Sequence, residues 1–319
     1  MMAIKFPAGY LRSTMTKLKF LVSLWMQENP YQRCHAAAAE EAGRRLGIDV
    51  KILYAKNDPM TQVEQLLSAI QGPPSSRPDG IICAPVGTTL TQVARQAAAA
   101  GIGWVLLNRD GDYLEQLRSE YSTPSFCVAV DQEHIGTLQA QQFSALLPEG
   151  GMVLYILGPQ GNMASQRRLN AMQTAKAANI QVRTIPANWS EQGGYKAITS
   201  WLQVSSSVKA PVGLVAGQND DIALGARKAF QELPHGIDRE RWINLPFIGV
   251  DCCPGAGEEW IRKGLLTASV VNPPSAGVAV EMLAHALEMK TQPAEYTRLA
   301  PQSYPSIEKL QGMARGSLV

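Results

Sequence analysis

The run Gly213-Leu214-Val215-Ala216-Gly217-Gln218-Asn219-Asp220-Asp221-Ile222 joins an apolar, strand-like segment to an alanine-rich helix through a Gln-Asn-Asp turn. Such a turn puts amides and carboxylates at the carboxyl edge of a parallel sheet, where open α/β folds hold polar ligands. Asn219 or Asp220 fits a plain helix cap equally well, because Asn and Asp oxygens satisfy otherwise unpaired backbone N–H groups. Residues after the other strand-like runs extend the pattern. Trp25, Asn29 and Tyr31 follow the first run, and Asn108, Arg109 and Asp110 the fourth. Gln160, Asn162 and Arg168 open the second half, and Trp189, Asn219, Asp251 and Asn272 come later. Aromatic faces, amides, a carboxylate and guanidinium forks suit a hydroxyl-rich guest: its C–H faces pack on rings, and its hydroxyls donate to acids and accept from Arg and Asn. Singly, each residue has a plainer role: Trp25 and Trp189 as core aromatics, Asn29 before Pro30 as a turn residue, Asp251 as a cap, Arg168 as a solvated helix residue. Their recurrence at equivalent strand ends points to a shared site.

Positioning them requires a regular frame, and the chain supplies one twice. Strand-like runs at Lys19–Leu24, Asp49–Tyr54, Gly80–Cys83 and Gly103–Leu107 alternate with helical stretches at Cys34–Leu46, Met60–Ala69 and Leu90–Ala100. A second round places strands at Gly151–Leu157, Ile180–Ile185, Gly213–Ala216, Phe247–Val250 and Thr267–Val271. Helices are expected between them at Ser165–Ala178, Gly194–Gln203, Ile222–Leu233 and Gly257–Lys263. Continuously apolar strands with short βα connections indicate parallel sheets covered on both faces. The expected fold is α/β, two doubly wound parallel-sheet lobes joined by a multi-crossing hinge. Phe126–Val130 reads as one strand leading between sheets, and Asn272-Pro273-Pro274 as a stiff extended crossing, since proline fixes its own φ and biases its predecessor away from helix. The division is 17–129 plus 273–300 for the first lobe, 130–272 plus 301–319 for the second, and 1–16 as an N-terminal extension.

Composition narrows the function. Lys and Arg number 29 against 27 Asp and Glu, a formal charge of +2 with no basic run, so neither nucleic acid nor an anionic membrane is a partner expected from bulk charge. No apolar stretch approaches the roughly 20 residues that cross a bilayer. Leu18–Met26 faintly resembles a signal-peptide core, but Lys19 interrupts it and Gln27-Glu28-Asn29-Pro30 follows in place of a small-residue cleavage site. The five cysteines, Cys34, Cys83, Cys127, Cys252 and Cys253, are odd in number and suit small buried residues in a reducing compartment better than a disulfide scaffold. There is no Gly-Lys-Ser/Thr phosphate loop, Gly-x-Ser-x-Gly elbow, His-Glu-x-x-His or Cys-x-x-Cys pair, and His35, His134, His235 and His285 are scattered. No catalytic residue, cofactor or metal is expected.

Several segments, in order and spacing, resemble the type I periplasmic sugar-binding proteins, above all the ribose-binding group, whose fold is shared with the effector domains of lac-repressor-type regulators. They are Val22-Ser23-Leu24-Trp25-Met26-Gln27-Glu28-Asn29-Pro30-Tyr31, Leu107-Asn108-Arg109, Val130-Asp131, Gln166-Arg167-Arg168-Leu169-Asn170-Ala171-Met172, Gln218 to Ala226, Gly249-Val250-Asp251 and Ser269-Val270-Val271-Asn272. The resemblance spans about Lys17 to Gln302. It implies that Asn29, Arg109, Arg168, Asn219 and Asp251 hydrogen-bond sugar hydroxyls, that Tyr31 and Trp189 stack on the ring, and that Trp25 and Asn272 line the cleft. Two departures stand out. Asn108 replaces the Asp common before that arginine, and Gln32 replaces a second aromatic, which leaves pentose specificity open.

What the resemblance implies is a monomeric, non-catalytic solute-binding protein that closes its hinge on a monosaccharide or related polyol. It would deliver that sugar to the permease of an ABC importer in the periplasm or cell envelope. A membrane sensor is an alternative partner. So is a regulator's effector domain, although the sixteen residues before Lys17 are too few for a DNA-binding unit. An enzyme on the same fold is the remaining alternative, and a cytoplasmic location fits the cysteines and the lack of a visible export signal.

Overall fold

Strands and helices alternate along almost the whole computed structural model, which describes residues 17–88, 90–109, 111–204, 209–233 and 239–316. The extension 1–16, Asp110 and His235 lie outside the described residues. The first half contains β1 (Lys19–Leu24), α1 (Pro30–Leu46), β2 (Asp49–Tyr54), α2 (Pro59–Gln71), β3 (Gly80–Cys83), α3 (Thr91–Ala99), β4 (Gly103–Leu107), α4 (Leu114–Glu120) and β5 (Ser125–Val130). The second contains α5 (Gln132–Leu146), β6 (Gly151–Leu157), α6 (Met163–Ala175), β7 (Ile180–Pro186), α7 (Glu191–Leu202), β8 (Val212–Gly217), α8 (Asp220–Gln231), α9 (Arg239–Ile243), β9 (Phe247–Asp251), α10 (Gly257–Arg262) and β10 (Ala268–Val271). The chain then returns through α11 (Ser275–Met289), β11 (Tyr296–Leu299), β12 (Gln302–Tyr304) and α12 (Ile307–Gly316).

The strands form two six-stranded sheets, ordered β11-β5-β4-β3-β1-β2 and β12-β10-β9-β8-β6-β7. Pairing is parallel except for β12, which runs antiparallel to β10. β5 stays within the first sheet, between β4 and β11, and the chain crosses only after Val130. Two further crossings follow β10 and β11, so each lobe is built from separated stretches of chain. Apolar clusters cover both faces of each sheet, one including Val22, Val105 and Leu283, another Leu21, Ile81 and Trp104 in the first lobe. In the second lobe they include Leu154 with Phe230, and Val153 with Phe143. Each such buried side chain contributes roughly 1.5–3 kcal/mol relative to exposure. A small cluster of Val130, Ile135, Leu138, Val250 and Val270 lies at the crossings.

Five helices among the described residues were not apparent from the sequence pattern: α4, α5, α9, α11 and α12. α5 buries glutamines among its apolar residues: Gln139 donates to Gly217 O at 2.9 Å and Gln142 to Ser269 O at 3.2 Å, which breaks the hydrophobic period. α1 begins one turn before the expected Cys34, with Pro30 in its first turn and Asn29 as its cap.

Candidate ligand-binding site

Ten residues singled out at strand ends line one cavity of about 130 Å³ between the lobes: Trp25, Asn29, Tyr31, Asn108, Arg109, Arg168, Trp189, Asn219, Asp251 and Asn272. The space is well below the roughly 300–1,000 Å³ of sites for drug-sized ligands, so it suits a guest of about one ring. An eleventh strand-end residue, Asn162, and Gln32, Ala84, Leu107, Gln132, Met163 and Ala164 complete the wall. Gln160 is not among them; it is exposed beside a groove on the outer surface that includes Arg183 and Trp201.

On the first lobe, the turn after β1 is fixed by Trp25, whose backbone N–H donates to Gln32 Oε1 (3.1 Å) and whose indole N–H donates to Pro85 O (3.0 Å). Gln32, in place of an aromatic, thus serves the backbone. Asn29 Oδ1 accepts from Gln32 N at 3.0 Å, so this residue caps α1 and lines the cavity at once. Asn108 adopts a left-handed backbone (φ 57°), which an Asn tolerates better than most residues. Its Nδ2 lies 3.4 Å from Tyr31 Oη and 3.1 Å from His35 Nε2. His35 is fully buried, accepts from Ala276 N at 3.3 Å at the start of α11, and is lowered by burial to about 3, so it is a neutral structural link. Tyr31 packs edge-on against it with centroids 4.6 Å apart, and burial, then Asp251, raises its phenol well above the usual value. Arg109 Nη1 donates to Gly87 O at 2.8 Å.

On the second lobe, Arg168 is 5% exposed and far from the solvated helix residue its sequence also allowed. Its Nε donates to Gln132 Oε1 (2.8 Å), Nη1 donates to Gln218 O, and its guanidinium sits 5.5 Å from the centre of the Trp189 ring. One face of Trp189 is therefore covered by Arg168. The approach needs Gly158, where an added Cβ would lie 2.2 Å from Trp189 Cη2. Gly136 on α5 meets the backbone of Arg168 just as closely, bringing α6 and its arginine to the cleft. Burial lowers the Arg168 pKa, and Asp251 opposes the shift. Asp251 accepts from Asn272 Nδ2 at 2.9 Å; burial raises it to about 6 against the pull of Arg168 and Asn272. Asn219 Oδ1 accepts from Ile222 N at 2.9 Å, so the cap foreseen for α8 is made by a cavity residue.

Asp220 lies behind this wall. Its Oδ2 accepts from Cys252 N (2.8 Å) and its Oδ1 from Ser269 Oγ (2.6 Å). That grip holds the left-handed residues Asp251 (φ 109°) and Cys252 (φ 43°), so the carboxylate of Asp251 is presented to the cleft. Burial, then Asp251, pushes Asp220 well above the usual carboxylate range, while Asp221 is raised to about 7 by burial and then Asp251.

Two lobes, three crossings and a polar cavity walled from both sides define a clamshell binding protein. The chain belongs to the periplasmic binding protein domain family, whose model matches residues 20–291. It is 30% identical over 198 residues to a putative rhizopine-binding protein of Rhizobium meliloti, covering 60% of each chain, and 24% identical over 208 residues to a D-apiose import binding protein of Actinobacillus succinogenes, covering 64% of this chain and 62% of that one. The chain spans about six-tenths of the length of these curated relatives. A solved solute-binding protein from Actinobacillus succinogenes with bound D-allose superposes with TM-score 0.76 at 19% identity, covering 93% of this chain and 100% of that one. One from Bacillus halodurans with bound myo-inositol gives 0.73 at 21%, covering 94% and 98%. No helix among the described residues is long and apolar enough to cross a membrane.

Proposed function

We propose that this chain captures a monosaccharide or related polyol between its lobes, closes over it by hinge motion, and hands it to an ABC-type importer at the cell envelope without chemically altering it. The observation that carries this reading is the make-up of one cavity wall: two guanidinium groups and several amides as donors, one carboxylate as acceptor, and indole and phenol rings, all drawn from both lobes. A hydroxyl both donates and accepts, so a ring dense in hydroxyls can answer every one of these groups, which a hydrocarbon or a simple anion cannot. Arg109 and Asn29 on the first lobe, with Arg168, Asn219 and Asp251 on the second, would grip the guest. Closure is favoured by ligand only through contacts better made in the closed state, and a guest touching both walls meets that condition. The D-allose and myo-inositol bound in two structural neighbours are hydroxylated rings of this kind. The described residues of 17–130 with 273–300 form one moving unit and those of 131–272 with 301–316 the other, working as a monomer. Asn108, uncharged where an Asp is common in the ribose-binding group, leaves the choice between pentoses, hexoses and polyols open to the screen.

A thermal-shift screen of pentoses, hexoses, deoxysugars, cyclitols and linear polyols tests the reading, because a ligand that binds only the folded state raises the melting temperature by mass action. One or a few hydroxylated compounds should raise it. A shift by amino acids or nucleotides alone would sink the assignment.

A further inference from the structure

Two thiols face each other across the cleft. Cys34 sits in α1 of the first lobe, three residues after the cavity residue Tyr31 and therefore on the same helix face. Cys253 follows β9 of the second lobe, two residues after the cavity residue Asp251. Each thiol is the strongest electrostatic influence on the other, across the boundary between the lobes. Both are rigidly carried: Cys34 by the second turn of a 17-residue helix, Cys253 by its carbonyl, which accepts from Ala256 N (3.0 Å) and Gly257 N (2.8 Å), and by the Asp220 anchor on Cys252 N. The spacing of the two sulfurs is therefore set by how far the lobes are closed.

We propose that Cys34 and Cys253 form a reversible disulfide between the lobes, made by exchange with a low-molecular-weight disulfide, that locks the clamshell shut. The other cysteines do not compete. Cys83 and Cys127 are buried on β3 and β5, which flank β4, so they stand about 9–10 Å apart, beyond the roughly 7 Å limit for a disulfide. Cys252 is turned toward Asp220 and Ser269, and burial raises its thiol to about 12. Cys34 is the half-buried member of the pair and Cys253 is 3% exposed, so a small disulfide meets Cys34 first. The contact with Cys253 also lowers the pKa of Cys34, and the same contact together with burial raises that of Cys253. The Cys34 thiolate attacks one sulfur of the small disulfide, forming a mixed disulfide and expelling a thiolate. Cys253 gives its proton to that thiolate, and its sulfur then attacks the Cys34 sulfur and expels the second thiolate. The protein pair loses two electrons and two protons, and the small disulfide gains them as two thiols.

Oxidised glutathione added to the full chain, followed by thiol alkylation, digestion without reductant and mass spectrometry, tests this. The expected product is a linked peptide pair containing Cys34 and Cys253, in a chain lighter by two hydrogens. It should be absent in Cys34→Ser and Cys253→Ser and retained in Cys252→Ser. Small-angle scattering of the oxidised chain with no added solute should give a smaller radius of gyration than the reduced chain, and dithiothreitol should reverse it. A Cys252–Cys253 linkage, a glutathione adduct left unresolved on Cys34, or both thiols remaining open to alkylation would each overturn the proposal. None of these readouts needs a sugar, so failure here is separate from failure of the sugar reading.

Discussion

Binding should weaken in acid because of Asp251, and by an amount its environment sets. Its carboxyl is raised to about 6, chiefly by burial, and it is the cavity's one anionic acceptor among the described lining residues. With that value the ionised fraction falls from about 0.99 at pH 8 to about 0.09 at pH 5, so a guest that requires the carboxylate loses about ten-fold in apparent affinity, or about 1.4 kcal/mol. The empty protein should respond in the opposite sense. The folded pKa lies above the unfolded one, about 3.9, so between the two values the folded form holds a proton that the unfolded form has lost. Stability of the unliganded chain therefore falls as pH rises from about 4 toward 6, and Asp221, raised to about 7, extends the window with the same sign. Calorimetric titration of a sugar found by the screen, at pH 5 to 8, with melting temperatures of the empty chain at the same pH values, checks both. Asp251→Asn should bind weakly with no slope across this range, and Asp221→Asn should keep the wild-type slope. A flat wild-type affinity profile, or the same slope in Asp251→Asn, would refute the assignment of Asp251 as the charged acceptor.

Three further substitutions separate grip from scaffold. Arg168→Ala should cost at least a hundred-fold in sugar affinity by titration; it strands Gln132 Oε1 and Gln218 O, at roughly 1–3 kcal/mol, while removing a buried cation, so the melting temperature of the empty chain should move by only a few degrees. Gly158→Ala should push Trp189 out of place, weakening affinity by about ten-fold or more with far-ultraviolet circular dichroism unchanged. Asp220→Ala should destabilise the chain by roughly 2–4 kcal/mol in urea unfolding, because it leaves the Cys252 N–H and Ser269 hydroxyl buried without their acceptor. Full stability in that variant would remove Asp220 from its role as the anchor of the Asp251 turn.

The parallel strands were legible because burial on both faces writes them as continuous apolar runs, and β1, β2, β3, β4 and β6 fall on the expected residues. The strand-end rule then brought Trp25 through Asn272 to a common edge without knowledge of any helix. It missed Gln132 because α5 itself was missed, and α5 was hidden by its core glutamines. Once Asp131 is recognised as the cap of α5, accepting from Glu133 N and His134 N, Gln132 becomes a strand-end residue like the others. α11 was obscured differently: it is apolar on most of its surface and carries little contrast between faces. The inward turn of Arg168 was beyond pattern reading, since it depends on Gly136 and Gly158 letting neighbours approach.

Cap and ligand contact, alternatives when only the sequence is considered, are two ends of the same amide. Asn29, Asn162 and Asn219 each spend Oδ1 on the first turn of a helix, accepting from Gln32 N, Ser165 N and Ile222 N, while each lines the cavity. For Asn219, no hydrogen bond occupies Nδ2 among the described residues, which leaves a donor for the guest. An aspartate would cap equally well but offer no donor, and it would add a charge beside Asp251. Asn219→Asp should therefore keep the stability of the empty chain to within about 0.5 kcal/mol of wild type yet lose most sugar affinity, whereas Asn219→Ala should lose affinity together with roughly 1 kcal/mol of stability. Urea unfolding read beside titration distinguishes them. If Asn219→Asp binds as wild type does, Nδ2 makes no contact with the guest and Asn219 is only a cap.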